Sequence, residues 1–123
     1  MKIHKVLVVD DEKAIHSYLQ KKLEKLGYTV YTAQDGEEAL RLIYSHPPDI
    51  ILLDVKLPRL SGIEVCKRLK SDDGTRHIPI IMLSAKAQSE EIAAGLQAGA
   101  ERYLCKPLGF PDILKEIRAF EDK

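Results

Sequence analysis

Val6-Leu7-Val8-Val9-Asp10-Asp11 and Ile50-Ile51-Leu52-Leu53-Asp54 are the two stretches that decide the fold. Each is an unbroken run of four apolar residues, rich in β-branched side chains, that ends abruptly in aspartate. A run that is apolar at every position, rather than at alternate ones, is typical of a strand buried on both faces. Strands of that kind belong to parallel sheets covered by helices, so the two stretches predict an α/β domain.

Further segments along the chain complete an alternating pattern of strands and helices. Short apolar runs predict additional strands at 28–33, 78–83 and 103–105. Apolar residues at helical spacing predict helices at 14–26, 36–45, around 65–69, 89–98 and 111–120. Five strands that alternate with five helices through right-handed crossovers predict a doubly wound parallel sheet with helices on both faces. We expect the strand order 2-1-3-4-5 and a single domain over residues 1–123.

Composition and length exclude several classes of protein. The chain has 123 residues, with 19 Lys or Arg and 19 Asp or Glu, so its formal net charge is zero. This balance argues against binding of nucleic acid through bulk positive charge, and a (β/α)₈ barrel would need roughly 200 residues. There is no signal-peptide pattern and no apolar run approaching about 18 residues, so we expect no membrane partner. Cys66 and Cys105 lack metal-ligand spacing and fit a reducing, cytoplasmic compartment.

Polar residues stand at the carboxyl ends of four predicted strands, which is where open α/β sheets bind ligands. They are Asp10 and Asp11 after the first strand, Asp54 after the third, Ser84 after the fourth and Lys106 after the fifth. Each alone has an ordinary explanation, because Asp11 could cap the first helix, Ser84 could belong to a turn and Lys106 could be a surface lysine. Because four strands contribute to one sheet edge, we interpret the set as one pocket.

The predicted pocket has the chemistry of a phosphoryl-transfer site. Three carboxylates packed together repel one another, and a divalent cation removes that conflict. Few, hard, solvent-open oxygen ligands favour Mg²⁺, with Mn²⁺ able to take its place. Beside the cation, Lys106 could hold a phosphoryl group and Ser84 could donate a hydrogen bond to it. Asp54 lies on the central strand, so we predict that its carboxylate is the nucleophile toward phosphorus.

The chain resembles the response-regulator receiver domains of two-component signalling over essentially all of its length. Matching segments occur in the right order at the ends of the predicted strands. They are Val8-Val9-Asp10-Asp11-Glu12, Ile50-Ile51-Leu52-Leu53-Asp54 with Leu57-Pro58 and Ser61-Gly62, Ile81-Met82-Leu83-Ser84-Ala85, and Gly99-Ala100 with Tyr103-Leu104-Cys105-Lys106-Pro107. One such segment alone would be weak evidence for the family, but four segments in the right order are highly specific to it. The resemblance implies a five-stranded flavodoxin-like sheet, and the strand order given above is carried over from it in part.

The resemblance also implies roles for the pocket residues. Asp54 would be the phosphoacceptor. Asp11 and Asp54 would bind Mg²⁺ directly together with the backbone carbonyl of Lys56, whereas Asp10 would act through a metal-bound water. Lys106 would pair with a phosphoryl oxygen.

A further set of residues would carry the signal outward. Ser84 and Tyr103 would form a switch pair, in which Ser84 moves toward the new phosphoryl oxygens while Tyr103 turns inward. The small side chain of Ala85 would leave a path to the phosphoryl group. The peptide bond before Pro107 would be cis.

The implied partners are proteins. A histidine kinase or a histidine phosphotransfer protein would donate the phosphoryl group. A downstream protein would bind the face made by the fourth helix, the fifth strand and the fifth helix, and that face could also support a homodimer on activation. The chain would then be a signalling domain that catalyses its own phosphorylation and dephosphorylation, rather than a turnover enzyme, with no direct nucleic-acid partner.

Three other functions stay open from the sequence. A phosphatase of the haloacid dehalogenase kind also uses an aspartate and Mg²⁺, but it expects a DxD pattern where this chain has Asp10-Asp11-Glu12-Lys13. A flavin or dinucleotide carrier expects a Gly-rich, Ser-rich or Thr-rich loop after the first strand, and the sequence has none there. A receiver that binds partners without being phosphorylated is disfavoured by the intact acidic set.

Residues around the predicted pocket carry weaker expectations. Lys56 and Lys86 are long cations that could overhang it, so we expect them to alter the lifetime of the phosphoryl group. Cys66 lies on a helical face beside an apolar residue and is expected to pack rather than react. The four scattered histidines are expected at the surface; they are His4, His16, His46 and His77.

Overall fold

Five parallel strands form one sheet with helices on both of its faces. The structure is a computed structural model that describes residues 2–85, 88–107 and 109–122. The strands are β1 (Lys5–Val9), β2 (Thr29–Ala33), β3 (Ile50–Asp54), β4 (Ile80–Ser84) and β5 (Arg102–Cys105). The helices are α1 (Lys13–Lys25), α2 (Gly36–Ser45), α3 (Gly62–Lys70), α4 (Ser89–Gln97) and α5 (Phe110–Glu121). Every predicted strand and helix is present, so the predicted α/β architecture is confirmed.

The order of strands across the sheet is β2-β1-β3-β4-β5. This order confirms the prediction, and each neighbouring pair is parallel. The chain first adds β2 on one side of β1 and then adds all later strands on the other side, so the order reverses between β1 and β3. A crevice at such a reversal is where open α/β sheets hold their ligands.

Alternate residues of each strand face two separate layers of the core. Leu7 and Leu53 pack in one buried cluster with residues of α2 and α3, whereas Val8 and Leu52 pack in the other with residues of α1 and α5. The central strand β3 is buried at all five positions. Burial on both faces is the reason that its sequence is apolar without alternation. None of the helices within the described ranges combines the length and hydrophobicity needed to cross a bilayer.

The fourth strand begins at Ile80, two residues later than the apolar pattern predicted. The N–H of Ile78 donates to the carbonyl of Thr75 at 3.0 Å and so closes the preceding loop. Pro79 has no N–H with which to join a ladder. Ile78 is nonetheless only 2% exposed, so its apolar character reflects burial rather than strand pairing.

Helix α1 begins one residue earlier than predicted, at Lys13. Glu12 occupies the N-cap position, and its side chain makes no capping hydrogen bond. Asp11 precedes that position, so the explanation of Asp11 as the helix cap is wrong.

The expectation that all four histidines lie at the surface is wrong for His16. This residue is 7% exposed, because it shares the inner face of α1 with Leu19 and Leu23, which are 2% and 0% exposed. Its Nε2 atom is buried without a hydrogen-bond partner among the described residues. The other three histidines are exposed, as expected.

An ion pair between Lys70 and Glu101, together with its hydrogen bonds, links α3 to the amino ends of β4 and β5. We call this group of contacts the Lys70–Glu101 clasp. The Nζ of Lys70, at the end of α3, donates to the carbonyls of Arg76 and Ile78 at 3.0 and 2.8 Å. It also lies 2.8 Å from Oε1 of Glu101. The same Glu101 oxygen accepts from the N–H of Ile80 at 2.8 Å. Three segments of chain therefore converge on one half-buried ammonium group.

We predict that Lys70→Met destabilises the protein by about 1–3 kcal/mol, because the substitution leaves half-buried acceptors without their donor. The measurement is urea unfolding followed by far-UV circular dichroism. Lys67→Met, an exposed lysine on the same helix, is the matched control and should change stability by less than about 0.5 kcal/mol. Equal effects of the two substitutions would show that the clasp contributes nothing.

Candidate functional site

Four strands deliver one polar residue each to the same edge of the sheet. Asp10 follows β1, Asp54 ends β3, Ser84 ends β4 and Lys106 follows β5. Asp10, Asp54 and Ser84 are only 1%, 7% and 2% exposed, and groups of this kind are seldom buried without partners. The parallel register brings the strand ends level with one another. The structure thus brings together the residues that the strand ends predicted.

The ammonium group of Lys106 lies beside two of these carboxylates. Its Nζ donates a hydrogen bond to Oδ2 of Asp10 at 2.9 Å and lies 3.7 Å from Oδ2 of Asp54. The backbone fixes its place, since the N–H of Lys106 donates to the carbonyl of Ser84 at 2.6 Å. Partial burial opposes the charged form, but the hydrogen bond to Asp10 and the charge of Asp54 outweigh it and raise the pKa of Lys106. Lys106 is therefore a fixed cation in the site.

The surroundings of Asp54 disfavour the ionised form of its carboxyl group. Burial raises the pKa of Asp54 to about 6, against the pull of Lys106 in the other direction. The nearby charges of Asp10 and Asp11 add to the rise, whereas the N–H of Lys56, 3.4 Å from Asp54 Oδ1, reduces it. Among the described residues, Lys56 and Lys106 do not balance the carboxylates of Asp10, Asp11, Glu12 and Asp54, so this part of the site retains a net negative charge.

Three consecutive acidic residues form one side of the site. Carboxylate oxygens of Asp10, Asp11 and Glu12 lie within 4.8 Å of one another, and Oδ1 of Asp10 accepts from the N–H of Glu12 at 3.0 Å. Asp54 is not a member of this cluster among the described residues. Glu12 was not among the predicted site residues, although its place directly after Asp10-Asp11 at a strand end could have indicated it. Hard oxygen donors of this kind fit Mg²⁺.

The site opens to solvent as a cavity of about 260 Å³. Its lining residues are Asp11, Glu12, Asp54, Lys56, Ser84, Ala85 and Lys106. A larger, mostly apolar groove of about 440 Å³ between α1 and α5 shares Glu12, Ala85 and Lys106 with it. Ala85 therefore lies at the border of both openings.

The loop after β3 is held close to the site by Gly62. The N–H of Gly62 donates to the carbonyl of Val55 at 2.9 Å. A Cβ atom at this position would collide with the carbonyl oxygen of Asp54 and would lie 2.9 Å from the Cα of Val55. Only a glycine allows the loop that carries Lys56 to fold back so tightly against the end of β3.

A family model for the response regulator receiver domain matches residues 6–118. The chain belongs to this family. Receiver domains bind Mg²⁺ at an acidic pocket, and in this chain the cluster of Asp10, Asp11 and Glu12 forms such a pocket. They also catalyse their own phosphorylation and dephosphorylation, and the response regulators that contain them act in two-component signal transduction with histidine kinases.

Relatives of known name and structure agree with this assignment. The response regulator MprA of Mycolicibacterium vanbaalenii is 47% identical over 117 residues, which cover 94% of this chain and 49% of MprA. A putative response regulator from Chloroflexus aurantiacus has a TM-score of 0.92 at 36% identity, covering 99% of this chain and 100% of that one. A chain in the CheX–CheY–BeF3–Mg²⁺ complex from Borrelia burgdorferi has a TM-score of 0.89 at 28% identity, covering 98% and 90%. This chain spans about half the length of the curated relatives it matches.

Tyr103 and Pro107 are the remaining predicted site residues that the structure describes, and neither is a lining residue of the cavity. Tyr103, on β5, is half-buried and packs toward α4 against Gly95 and close to Met82. The Lys106–Pro107 peptide bond is cis. Lys86 lies outside the described residues.

We predict that Asp54→Asn stabilises the metal-free protein near neutral pH. The folded-state pKa of about 6 exceeds the ordinary value of 3.8, so the folded state binds a proton more tightly than the unfolded state, and stability falls as pH rises through this window. Asparagine carries no charge, and the variant should therefore be more stable than the parent by about 1–2 kcal/mol above about pH 7. The difference should shrink as the pH falls toward about 4.

The measurement is urea unfolding in EDTA across that pH range. Asp73→Asn is the control, because Asp73 has 89% of its side chain exposed and should show no such pH dependence. A stability difference between Asp54→Asn and the parent that is the same at every pH would contradict the raised pKa of Asp54.

Proposed function

We propose that this receiver domain accepts a phosphoryl group on Asp54 from a histidine kinase or a histidine phosphotransfer protein and thereby changes a protein-binding surface. The observation that supports this most directly is the meeting of Asp54, Lys106 and the acidic cluster at one solvent-open cavity. A nucleophilic carboxylate, a fixed cation and oxygen ligands for a metal are the components of phosphoryl transfer. The free cysteines Cys66 and Cys105 suit the reducing, cytoplasmic location that belongs to this proposal.

The proposed metal site uses residues from two strand ends. Asp11 and Asp54, with the backbone carbonyl of Lys56, are the direct ligands in this proposal, and Asp10 acts through a metal-bound water. Glu12 adds negative charge at the same edge. Bound Mg²⁺ would supply the positive charge that offsets the carboxylates and the incoming phosphoryl oxygens.

In the proposed reaction the protein takes part in one exchange of covalent bonds. An oxygen of Asp54 forms a bond to phosphorus while the bond from phosphorus to the donor imidazole nitrogen breaks, and the imidazole leaves with the bonding electrons. Lys106, which already lies 3.7 Å from Asp54 Oδ2, pairs with a phosphoryl oxygen. The Ser84 hydroxyl donates to another. Asp54 must be ionised to attack, and the charge of Lys106 favours that form.

The proposed output surface is the face made by α4, β5 and α5. Arg102 lies 3.2 Å from Oε2 of Glu116, and its guanidinium lies 5.4 Å from the centroid of the Phe120 ring, so β5 and α5 are linked across this face. Leu96 of α4 is 46% exposed on the neighbouring helix. A downstream protein binds here in the proposal, and a second copy of the activated chain is the alternative occupant.

We predict that incubation with acetyl phosphate and Mg²⁺ adds one phosphoryl group per chain, seen by intact-protein mass spectrometry. Asp54→Ala should abolish the addition, because it removes the nucleophile, whereas Asp73→Ala, an exposed aspartate away from the cavity, should leave it intact. EDTA should suppress the reaction in the parent. Persistent labelling of Asp54→Ala, or continuous release of phosphate from varied phosphate monoesters, would favour a phosphatase instead.

We predict that Lys56→Ala shortens the half-life of the phosphorylated protein about threefold, the size of one solvent-screened charge contact. The side chain of Lys56 lines the cavity, where its cation would contact the phosphoryl group or restrict water. Decay after removal of donor is followed by mass spectrometry or phosphate-affinity electrophoresis. Lys67→Ala is the matched control on α3, and Lys86→Ala tests the other predicted lysine. Unchanged half-lives in both Lys56→Ala and Lys86→Ala would remove this idea.

A further inference from the structure

We propose that Gly95 determines where the ring of Tyr103 lies. Because Gly95 has no Cβ atom, it also sets the equilibrium between the inactive and active arrangements of this receiver domain. The inference rests on the proposed function and on the switch role that the receiver-domain resemblance implies for Tyr103. It adds a positioning residue on α4 that does not contact the phosphorylation site.

The contact between Gly95 and Tyr103 leaves no room for a side chain. A Cβ atom on Gly95 would lie 2.7 Å from Cδ2 and 2.9 Å from Cε2 of the Tyr103 ring, and 3.7 Å from Cγ of Met82. The first two separations are below 3.0 Å, which real Cβ atoms essentially never show. An added methyl group therefore forces either the ring or the helix to move.

The backbone gives no reason of its own for a glycine at this position. Gly95 lies in the interior of α4, and the glycines with positive φ in the described ranges are Gly27 and Gly99. Glycine is one of the least favourable residues inside a helix. The requirement at position 95 is thus space for the Tyr103 ring rather than conformational freedom.

The helix is tethered close to the contact, so the ring is the part that yields. The Sγ of Cys66 donates to the carbonyl of Ala98 at 3.4 Å, and the Lys70–Glu101 pair fixes the segment that follows. The Tyr103 ring is only half-buried and can leave by rotation about its Cα–Cβ bond. A methyl group on residue 95 should accordingly push the ring out of its place beneath α4.

Displacement of the ring would change the switch equilibrium. In this structure the ring packs against the buried cluster that includes Met82, which is the inward side of the seam between α4 and β5. If phosphorylation favours the inward ring, a side chain at position 95 penalises the active arrangement and leaves the inactive one unaffected. A ligand that binds the active arrangement then binds more weakly.

The decisive experiment compares Gly95→Ala with the parent in two measurements. Ring-labelled tyrosine NMR of the full chain should show a shifted Tyr103 signal in Gly95→Ala. Titration with beryllofluoride in the presence of Mg²⁺ should give a midpoint about fivefold higher. In a Tyr103→Ala background the same Gly95→Ala change should have no effect on that midpoint. Ala94→Val, which adds volume at an exposed position of α4, should leave both measurements unchanged.

Each other result overturns the inference. An unmoved Tyr103 signal in folded Gly95→Ala shows that the methyl group does not meet the ring. A midpoint change that persists in the Tyr103→Ala background shows that it acts through the helix. If Gly95→Ala does not fold, Gly95→Ala/Tyr103→Ala must restore folding, and failure to do so sinks the proposal. If the parent does not bind beryllofluoride, the proposed phosphoryl function fails, whereas the Tyr103 signal still decides the role of Gly95.

Discussion

The ion pairs of Lys106 with Asp10 and Asp54 are the interaction on which the rest of the site depends. One ammonium group, 2.9 Å from one carboxylate and 3.7 Å from the other, holds together side chains that are otherwise repelled by their neighbours. Its position follows from the sheet, because the N–H of Lys106 bonds to the carbonyl of Ser84 at the end of β4. The strand order and the register of the strand ends therefore determine which charged groups lie together in the pocket.

The charges within the site do not balance one another. In the described part of the chain, four carboxylates face two lysines there, Lys56 and Lys106, while the chain as a whole has zero net charge; the carboxylates are those of Asp10, Asp11, Glu12 and Asp54. Burial of Asp54, with a smaller contribution from the charges of Asp10 and Asp11, disfavours its ionised form and raises its pKa to about 6. A divalent cation would offset the charge of these carboxylates, so the cost to the folded state and the capacity to bind a metal ion have one origin.

The sequence predicted the features that depend on burial and chain direction, and it missed those that depend on side-chain neighbours. Continuous apolar runs revealed β3, and polar residues after the strands revealed Asp54, Ser84 and Lys106, because parallel strands must end at a common edge. Periodicity did not reveal that His16 is buried, since a polar residue on an apolar face breaks the pattern. Nor could it reveal the contact of Gly95 with Tyr103, because these residues come from different elements and meet only through the packing of α4 on β5.

The contact between α4 and the sheet is held more firmly at the carboxyl end of the helix than along its length. At one end, the Lys70–Glu101 clasp and the Cys66–Ala98 hydrogen bond tie the region after α4 to α3. Along its length, by contrast, Gly95 is the one fully buried residue within the described part of α4, whereas α3 buries four. The end of α4 is thus held in place, and the packing along its length depends on the contact of Gly95 with the Tyr103 ring. In the proposal, the ring of Tyr103 is the part of this seam that moves, and it lies beside the proposed output surface, whereas the well-packed strand β3 carries Asp54.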